Sequence, residues 1–241
     1  MLENGIQNEA GSGLHFVRRW CTDQIRQVQP TFKTLAGHGH QTTVCRRRSR
    51  SPLGYSTVTA ISEIWLRANF EMRCLTSSFA GSISTFEKQA NKILSSVNEL
   101  DYDLLGIEGS IPGLVGLRHE SCTWSTYMVI DHLRLHTDFL LNAMRSLVVA
   151  NELTAPIPAV RYWQPDDVGS ESLDHFQDSV WQYVAFANNL AESGKHRQAT
   201  GTIPHPQYGS LDLKRLSVYG NLHLNLHRRQ IQAILASIGM V

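Results

Sequence analysis

Two histidines near the C-terminus, His223 and His227, have the residue type and spacing that most directly suggest chemistry. They belong to a stripe that repeats every three or four residues, the pattern of one buried face of an amphipathic helix. A buried imidazole needs a hydrogen-bond partner or a metal ion. The pair therefore predicts either hydrogen-bonded core residues or two ligands of a metal site. The stripe consists of Leu213, Leu216, Gly220, His223, His227, Ile231, Ile234 and Ile238.

The spacing alone is weak evidence, because the chain contains 11 histidines. Random placement predicts about half of one such pair, yet the chain has a second pair, His132 and His136. Zinc and similar ions take three or four imidazole, thiolate or carboxylate ligands, so a third ligand must come from another helix. His132 is the best candidate, because its own stripe is apolar and continuous. His136 is the alternative, and it could instead hydrogen-bond to a ligand or be a polar residue of the bundle core.

Four amphipathic segments, each of about 20 residues or more, predict the helices that position these histidines. In the first of them an apolar stripe with steps of four and three runs from Phe79 to Leu100. Long connections rich in glycine or proline separate the segments at residues 101–123, 152–171 and 195–210, and none shows a strand pattern of useful length. The fold class predicted is therefore all-α, a four-helix bundle over residues 76–241. The first helix is predicted to begin near Ser77 or Ser78, and the second to run from about Trp124, capped by Thr123, to Asn151. The third is predicted to run from about Leu173 to Gly194, and the fourth to begin after Ser210 or Asp212.

Residues 1–71 lack sustained periodicity, apart from a short helical pattern at residues 58–70. They contain a basic run, Arg46–Arg50, which is typical either of a solvated disordered tail or of a nucleic-acid patch. A third interpretation is that the native chain starts at Met72 and that the preceding residues come from an extended reading frame. We expect this segment to be a disordered or non-native extension outside the bundle.

Composition limits the functional classes. The net charge of +1 favours neither a nucleic-acid binder nor a membrane-surface protein. No apolar run approaches the roughly 18 residues needed to cross a bilayer, and no signal-peptide pattern opens the chain. The four cysteines form no CxxC pair and no spacing typical of disulfides. A reducing compartment, the cytoplasm, is the simplest interpretation.

Three motifs, in this order along the chain, resemble those of the DinB/YfiT-like superfamily of metalloenzymes. The first is Trp124-Ser125, followed after six residues by His132-Leu133. The second is His205-Pro206-Gln207-Tyr208-Gly209-Ser210-Leu211, which is similar to the lead into the last helix in one branch of the family. The third is His223-x3-His227-Arg228-x-Gln230 on the last helix. The resemblance covers about residues 76–241.

The resemblance implies a four-helix bundle with a site for Zn, Ni or Fe formed by His132, His223 and His227. It also implies frequent homodimers. Members of known activity include thiol-dependent transferases and a maleylpyruvate isomerase that uses a low-molecular-weight thiol. The function predicted is therefore a metal-dependent enzyme of the transferase or hydrolase type acting on a small molecule. The alternative is a non-catalytic helical binding or stress-response protein.

Three residues near the predicted site have two interpretations each. Cys122 is a thiolate ligand or nucleophile, or a small inert hydrophobe. Asp131 orients an imidazole, or is an ordinary exposed carboxylate on a helix. Gly220, one turn before His223, leaves space for a substrate, or allows close helix packing.

Three more residues belong to the connections or to the third helix. Trp163 and Trp181 could line a pocket, although packing is the default role of a tryptophan. His205 stands between two prolines and is predicted to anchor its loop rather than to serve as a fourth ligand.

Overall fold

A computed structural model describes residues 53–117, 119–150, 164–165 and 168–240 of the 241-residue chain. The basic run Arg46–Arg50 and Trp163 lie outside the described residues, so the roles predicted for them stay predictions. The described part is mostly helical. Its helices are α1 (Leu53–Thr76), α2 (Phe79–Asn98), α3 (Tyr102–Leu105), α4 (Thr126–Ala150), α5 (Glu171–Glu192) and α6 (Leu213–Ser237), with 3-10 turns at His119–Thr123 and Lys195–Arg197 and a hairpin of β1 (Ile203–His205) and β2 (Gly209–Leu211).

Side-chain caps fix where three of the long helices begin. Ser78 Oγ accepts the backbone N–H of Gly81 at 3.0 Å, which confirms the early start predicted for α2. The Asp212 carboxylate accepts the N–H of Arg215 at 2.8 Å at the start of α6. Thr123 was the wrong cap for α4. That role falls to Ser125, whose hydroxyl accepts the N–H of Met128 at 3.2 Å, because Thr123 still belongs to the preceding 3-10 turn.

The predicted apolar stripes face the core. On α2 the stripe from Phe79 to Val97 is buried throughout, and on α6 the buried positions include His227 in the middle of the stripe. Helix α4 contacts both α5 and α6, and α2 contacts the same two helices from the other side. Four of the five long helices in the described part, α2, α4, α5 and α6, therefore form a closed ring of contacts around one apolar core.

Pairs of contacting residues show the helix directions. Along α4 and α6, His132 meets His227, whereas Leu140, two turns later, meets Gly220, two turns earlier. These two helices are therefore antiparallel.

Helices α4 and α5 run in the same direction. Asp138 accepts a hydrogen bond from Ser179, and Arg145 lies over the ring of Phe186. The later residue of α4 pairs with the later residue of α5, as it does in parallel helices, and most of the connection between the two helices lies outside the described residues.

Residues 195–210 were predicted to be a loop, and this is partly wrong. Ile203 pairs with Leu211 and His205 with Gly209 in a two-stranded antiparallel hairpin. Gly209, the first residue of β2 after the turn, has a φ of 72°, a conformation that glycine adopts without strain. Strands of three residues are too short to produce a visible alternation of apolar and polar residues.

Helix α1 extends across the predicted boundary at residue 71 and packs against α6. Phe70 is fully buried and lies 4.5 Å from the ring of Tyr208. The Glu71 carboxylate accepts two hydrogen bonds from the Arg215 guanidinium, at 2.6 and 2.8 Å. The C-terminal turns of α1 are therefore anchored to the beginning of α6.

Candidate metal centre

Two antiparallel helices bring together the three histidines predicted as metal ligands. His132 projects from α4, and His223 and His227 project from consecutive turns of α6. One potential ligand atom of each residue lies within 4.8 Å of the other two. His132 and His227 are buried, whereas His223 is partly exposed. Any open side of the group therefore lies next to His223.

The geometry suits convergence on one point. The Nε2 atoms of His132 and His223 are 3.0 Å apart, near the ~3.3 Å that separates two nitrogens on one tetrahedral zinc ion. The three ring planes are tilted against one another by 41°, 59° and 60°. Because an imidazole lone pair lies in the plane of its ring, tilted planes can intersect at a common ion.

A buried glutamine fixes the tautomer of His227. Gln230 donates its amide N–H to the backbone carbonyl of Ser121 at 2.7 Å. A carbonyl can only accept, so the amide oxygen of Gln230 must face His227, whose Nδ1 lies 2.6 Å away. His227 therefore carries its proton on Nδ1 and keeps the lone pair of Nε2 available. Metal-ligating histidines are held by the same kind of support.

Burial keeps the rings on α6 neutral. It lowers the pKa of His227 to about 3, with a smaller lowering by His132 that the Gln230 hydrogen bond partly opposes. Burial, followed by the neighbouring imidazoles, lowers the pKa of His223 well below its usual value. A neutral imidazole is the form that binds a metal. No Asp, Glu or Cys among the described residues joins the three-histidine group.

His136, the alternative ligand, has a different place. Its ring stacks on His223 with centroids 3.7 Å apart and planes only 16° from parallel. An ion in the plane of the His223 ring would lie out of the plane of His136, where that residue has no lone pair. His136 is fully buried and also contacts Tyr219 edge-on at 5.2 Å. The structure therefore places the ring of His136 against the face of the His223 ring.

The connection that precedes α4 covers one side of the group. Its last residue before the α4 cap, Trp124, is buried and lies 5.2 Å from the His132 ring. Two backbone hydrogen bonds, from Gly109 to Trp124 and from Ile111 to Cys122, hold the connection together. Through Ser121 the same segment is bonded to Gln230. The covering segment is thus tied to a histidine of the site.

Cys122 and Asp131, near the three histidines, have structural roles. Burial raises the pKa of the Cys122 thiol, with a smaller contribution from Glu120, so the thiol stays protonated and matches the inert interpretation. Asp131 is buried and accepts a hydrogen bond from Arg134 at 2.7 Å. That carboxylate is therefore engaged with a guanidinium on its own helix.

His205, Gly220 and Trp181 also have defined places in the structure. His205 Nδ1 accepts the N–H groups of Gln207 and Tyr208 at 3.1 and 3.2 Å, which confirms its loop-anchoring role. A Cβ on Gly220 would lie 2.7 Å from the side chain of Leu140, so this glycine allows close helix packing. Trp181 is 72% exposed on α5, and neither the pocket nor the packing prediction holds for it.

Sequence reasoning missed the contacts of Gln230 with His227 and Ser121. The spacing of three residues between His227 and Gln230 could have suggested the first contact, since such residues are neighbours on a helix. Ser121 is more than one hundred residues away, and nothing in the sequence points to its carbonyl.

No protein-family model matches the chain, and no curated protein matches it. Among the described residues, no helix combines the length and the apolar character needed to cross a membrane.

Proposed function

We propose that this chain is a metal-dependent enzyme on a four-helix bundle of the DinB/YfiT-like type, with a divalent ion held by His132, His223 and His227. The observation that carries the proposal is the convergence of three imidazole nitrogens within 4.8 Å. The closed ring formed by α2, α4, α5 and α6 supports the bundle assignment. The resemblance of the three sequence motifs supports the family.

The donor set fits a borderline-soft divalent ion. Imidazole suits Zn, Ni and Fe, whereas Mg and Ca prefer oxygen ligands. Burial keeps His227 neutral, and Gln230 holds its proton on Nδ1, so that Nε2 is free of a proton. An ion held by three neutral ligands supplies a Lewis acid that acidifies a water molecule or a thiol.

The protein's own groups define how a reactant would be received. His223 is the partly exposed member of the group, so a substrate would approach beside this residue. Trp124 and the connection before α4 cover the opposite approach and restrict water there. Three neutral ligands do not offset the charge of a divalent ion, and this favours an anionic reactant such as a thiolate or carboxylate.

The proposed reaction class is therefore thiol-dependent transfer or hydrolysis of a small molecule. A low-molecular-weight thiol as second reactant rests on the family resemblance, as do the homodimer and the cytoplasmic location. The neutral histidine cluster is compatible with this chemistry.

Metal analysis of the purified full chain, prepared without chelator, tests the proposal. We expect about one equivalent of Zn, Ni or Fe per chain in the wild type. The double variant His223→Ala/His227→Ala should lose it. His175→Ala is the matched control, because His175 is exposed on α5 and its removal should leave the metal content unchanged.

A wild-type protein without stoichiometric metal, both as purified and after incubation with each ion, would refute the site. Equal loss in the His175 control would show non-specific binding. Thermal unfolding and turnover of thiol or ester substrates then separate the functional classes. A non-catalytic binding protein predicts that histidine removal lowers stability without changing any turnover.

A further inference from the structure

The exposed edge of His223 lies beside an apolar side chain. His223 is the partly exposed member of the three-histidine group. Leu226 follows it by three residues on α6, and residues at this spacing are neighbours on the surface of a helix. Leu226 is itself half-buried. A reactant that approaches beside His223 therefore passes next to the side chain of Leu226.

Leu226 meets a leucine of α1 and the connection that precedes α4. A Cβ placed on Gly116 would lie 3.6 Å from the side chain of Leu226 and 3.9 Å from that of Leu66. Gly116 has a φ of 92°, which favours glycine, so the backbone of the connection can approach both leucines. Leu66 is also half-buried, and Val115, which precedes Gly116, is 53% exposed. Three elements thus place apolar side chains around one point. We call Leu66, Val115 and Leu226 the apolar rim.

Helix α1 crosses α6 at the level of His223. Before His223 along α6, the ring of Tyr219 lies 5.9 Å from that of Tyr208, and Tyr208 lies 4.5 Å from Phe70 of α1. After His223, α1 contributes to the apolar rim. Because its two contacts stand on either side of His223, α1 spans the exposed edge of the site.

The apolar rim and the histidines together have the composition of a ligand site. Sites for small molecules combine mainly apolar walls with a few polar groups that fix the orientation of the ligand. An ion held by the three histidines would fix an anionic end. The half-buried side chains of the rim would lose further contact with water if an apolar part of the same molecule covered them, and this burial is favourable.

We propose that the reactant of the metal site carries an apolar group next to its anionic end, and that Leu66 and Leu226 bind this group. The inference rests on the proposed function and specifies its substrate class. It also assigns a role in substrate selection to α1, which lies outside the four-helix ring.

Binding of aliphatic carboxylates to the cobalt-substituted full chain tests the inference. Cobalt(II) accepts the same imidazole ligands as zinc, and its visible absorption changes when a carboxylate binds to it. Acetate, butanoate and hexanoate share the anionic end and differ only in the number of CH₂ groups. Each CH₂ that becomes buried strengthens binding about fourfold. We therefore expect hexanoate to bind at least about tenfold more tightly than acetate.

Two variants locate the binding site of the apolar group. Leu66→Gln and Leu226→Gln introduce a polar side chain that is compatible with a helix. Each should lower the affinity for hexanoate about three- to tenfold and change the affinity for acetate much less, because acetate has no chain to reach the rim. The matched control is Leu75→Gln, since Leu75 is 81% exposed on α1, and it should keep the wild-type preference for hexanoate. Cobalt content and circular dichroism check the site and the fold of each variant.

The outcomes separate this inference from the proposed function. Equal affinities for acetate and hexanoate would overturn the inference while leaving the metal site in place. The inference also fails if both glutamine variants keep the wild-type affinity for hexanoate, or if they lower the affinities for acetate and hexanoate equally. A chain that binds neither cobalt nor Zn, Ni or Fe would refute the proposed function, and the inference with it.

Discussion

Replacing Gln230 by leucine would remove the support of His227 while keeping the side-chain volume similar. Gln230 is fully buried, accepts from Nδ1 of His227 at 2.6 Å and donates to the Ser121 carbonyl at 2.7 Å. Without the amide oxygen, nothing on that side requires the proton of His227 to stay on Nδ1. The tautomer with the proton on Nε2 becomes accessible, and this tautomer cannot bind a metal through Nε2.

The expected loss follows from the strength of such supports. Removal of an outer hydrogen-bond partner of a ligating histidine lowers metal affinity about 10–100-fold, which corresponds to about 1.4–2.7 kcal/mol. The variant also leaves the buried His227 N–H without the acceptor that Gln230 provides, and a buried group left unsatisfied costs about 1–3 kcal/mol of folding free energy. Affinity must therefore be measured under conditions in which the variant is folded.

Zinc competition against a chromophoric chelator, with near-ultraviolet circular dichroism to monitor the fold, measures the effect. Gln232→Leu is the control, because Gln232 is exposed on the same helix. Gln230→Glu retains an acceptor for the His227 N–H, and a carboxylate strengthens the ligand, so it should lose less affinity than Gln230→Leu. A folded Gln230→Leu protein with wild-type zinc affinity would refute the proposed role of Gln230, as would equal losses in the two Gln230 variants.

Three further variants test the packing around the site. Gly220→Ala places a Cβ 2.7 Å from Leu140 and should cost about 1–3 kcal/mol in urea unfolding, whereas Gly113→Ala, with nothing within 4 Å, should be nearly neutral. Arg215→Lys breaks the bidentate contact with the half-exposed Glu71, and should weaken hydrogen-exchange protection of residues 66–76 in α1 by about 1 kcal/mol; unchanged protection would contradict the anchor. Burial lowers the pKa of His205 from 6.5 to about 4. Between these pH values the unfolded chain binds the proton and the folded chain does not, so the free energy of unfolding falls as pH falls. The slope is at most about 1.4 kcal/mol per pH unit, and it is smaller because the ring is partly exposed. His205→Gln should reduce the slope of unfolding free energy against pH below 6.5 without removing it, because the lowered pKa values of His223 and His227 contribute a slope of the same sign. Above pH 6.5 the curve should stay parallel to wild type, and chemical denaturation at a series of pH values can check both.

Periodicity predicted the parts of the fold that depend on one helix at a time. The stripes of α2 and α6 were identified because the burial of a helix face repeats every 3.6 residues. The start of α2 at Ser78 followed from local capping chemistry. The hairpin around Gly209 was missed because its strands have only three residues each, and this length gives no usable alternation.

The site required information from two helices at once. The sequence offered His132 and His136 on neighbouring stripes of α4, and only the register of α4 against α6 separates their roles. His132 meets His223 through nitrogen atoms at 3.0 Å, whereas His136 meets it through ring faces. A shift of one turn would exchange the two. The register depends on close packing, including the contact of Gly220 with Leu140, and this cannot be derived from spacing along one chain.

The three proposed ligands are each restrained by a different neighbour. Trp124 lies against His132, His136 stacks on His223, and Gln230 bonds to His227. Rings that are already oriented lose little conformational freedom when an ion binds, and such preorganisation increases affinity. Loss of a ligand and loss of a support should therefore differ in kind. Removal of a histidine leaves too few donors for a stable site, whereas removal of a support leaves all three donors and only weakens binding.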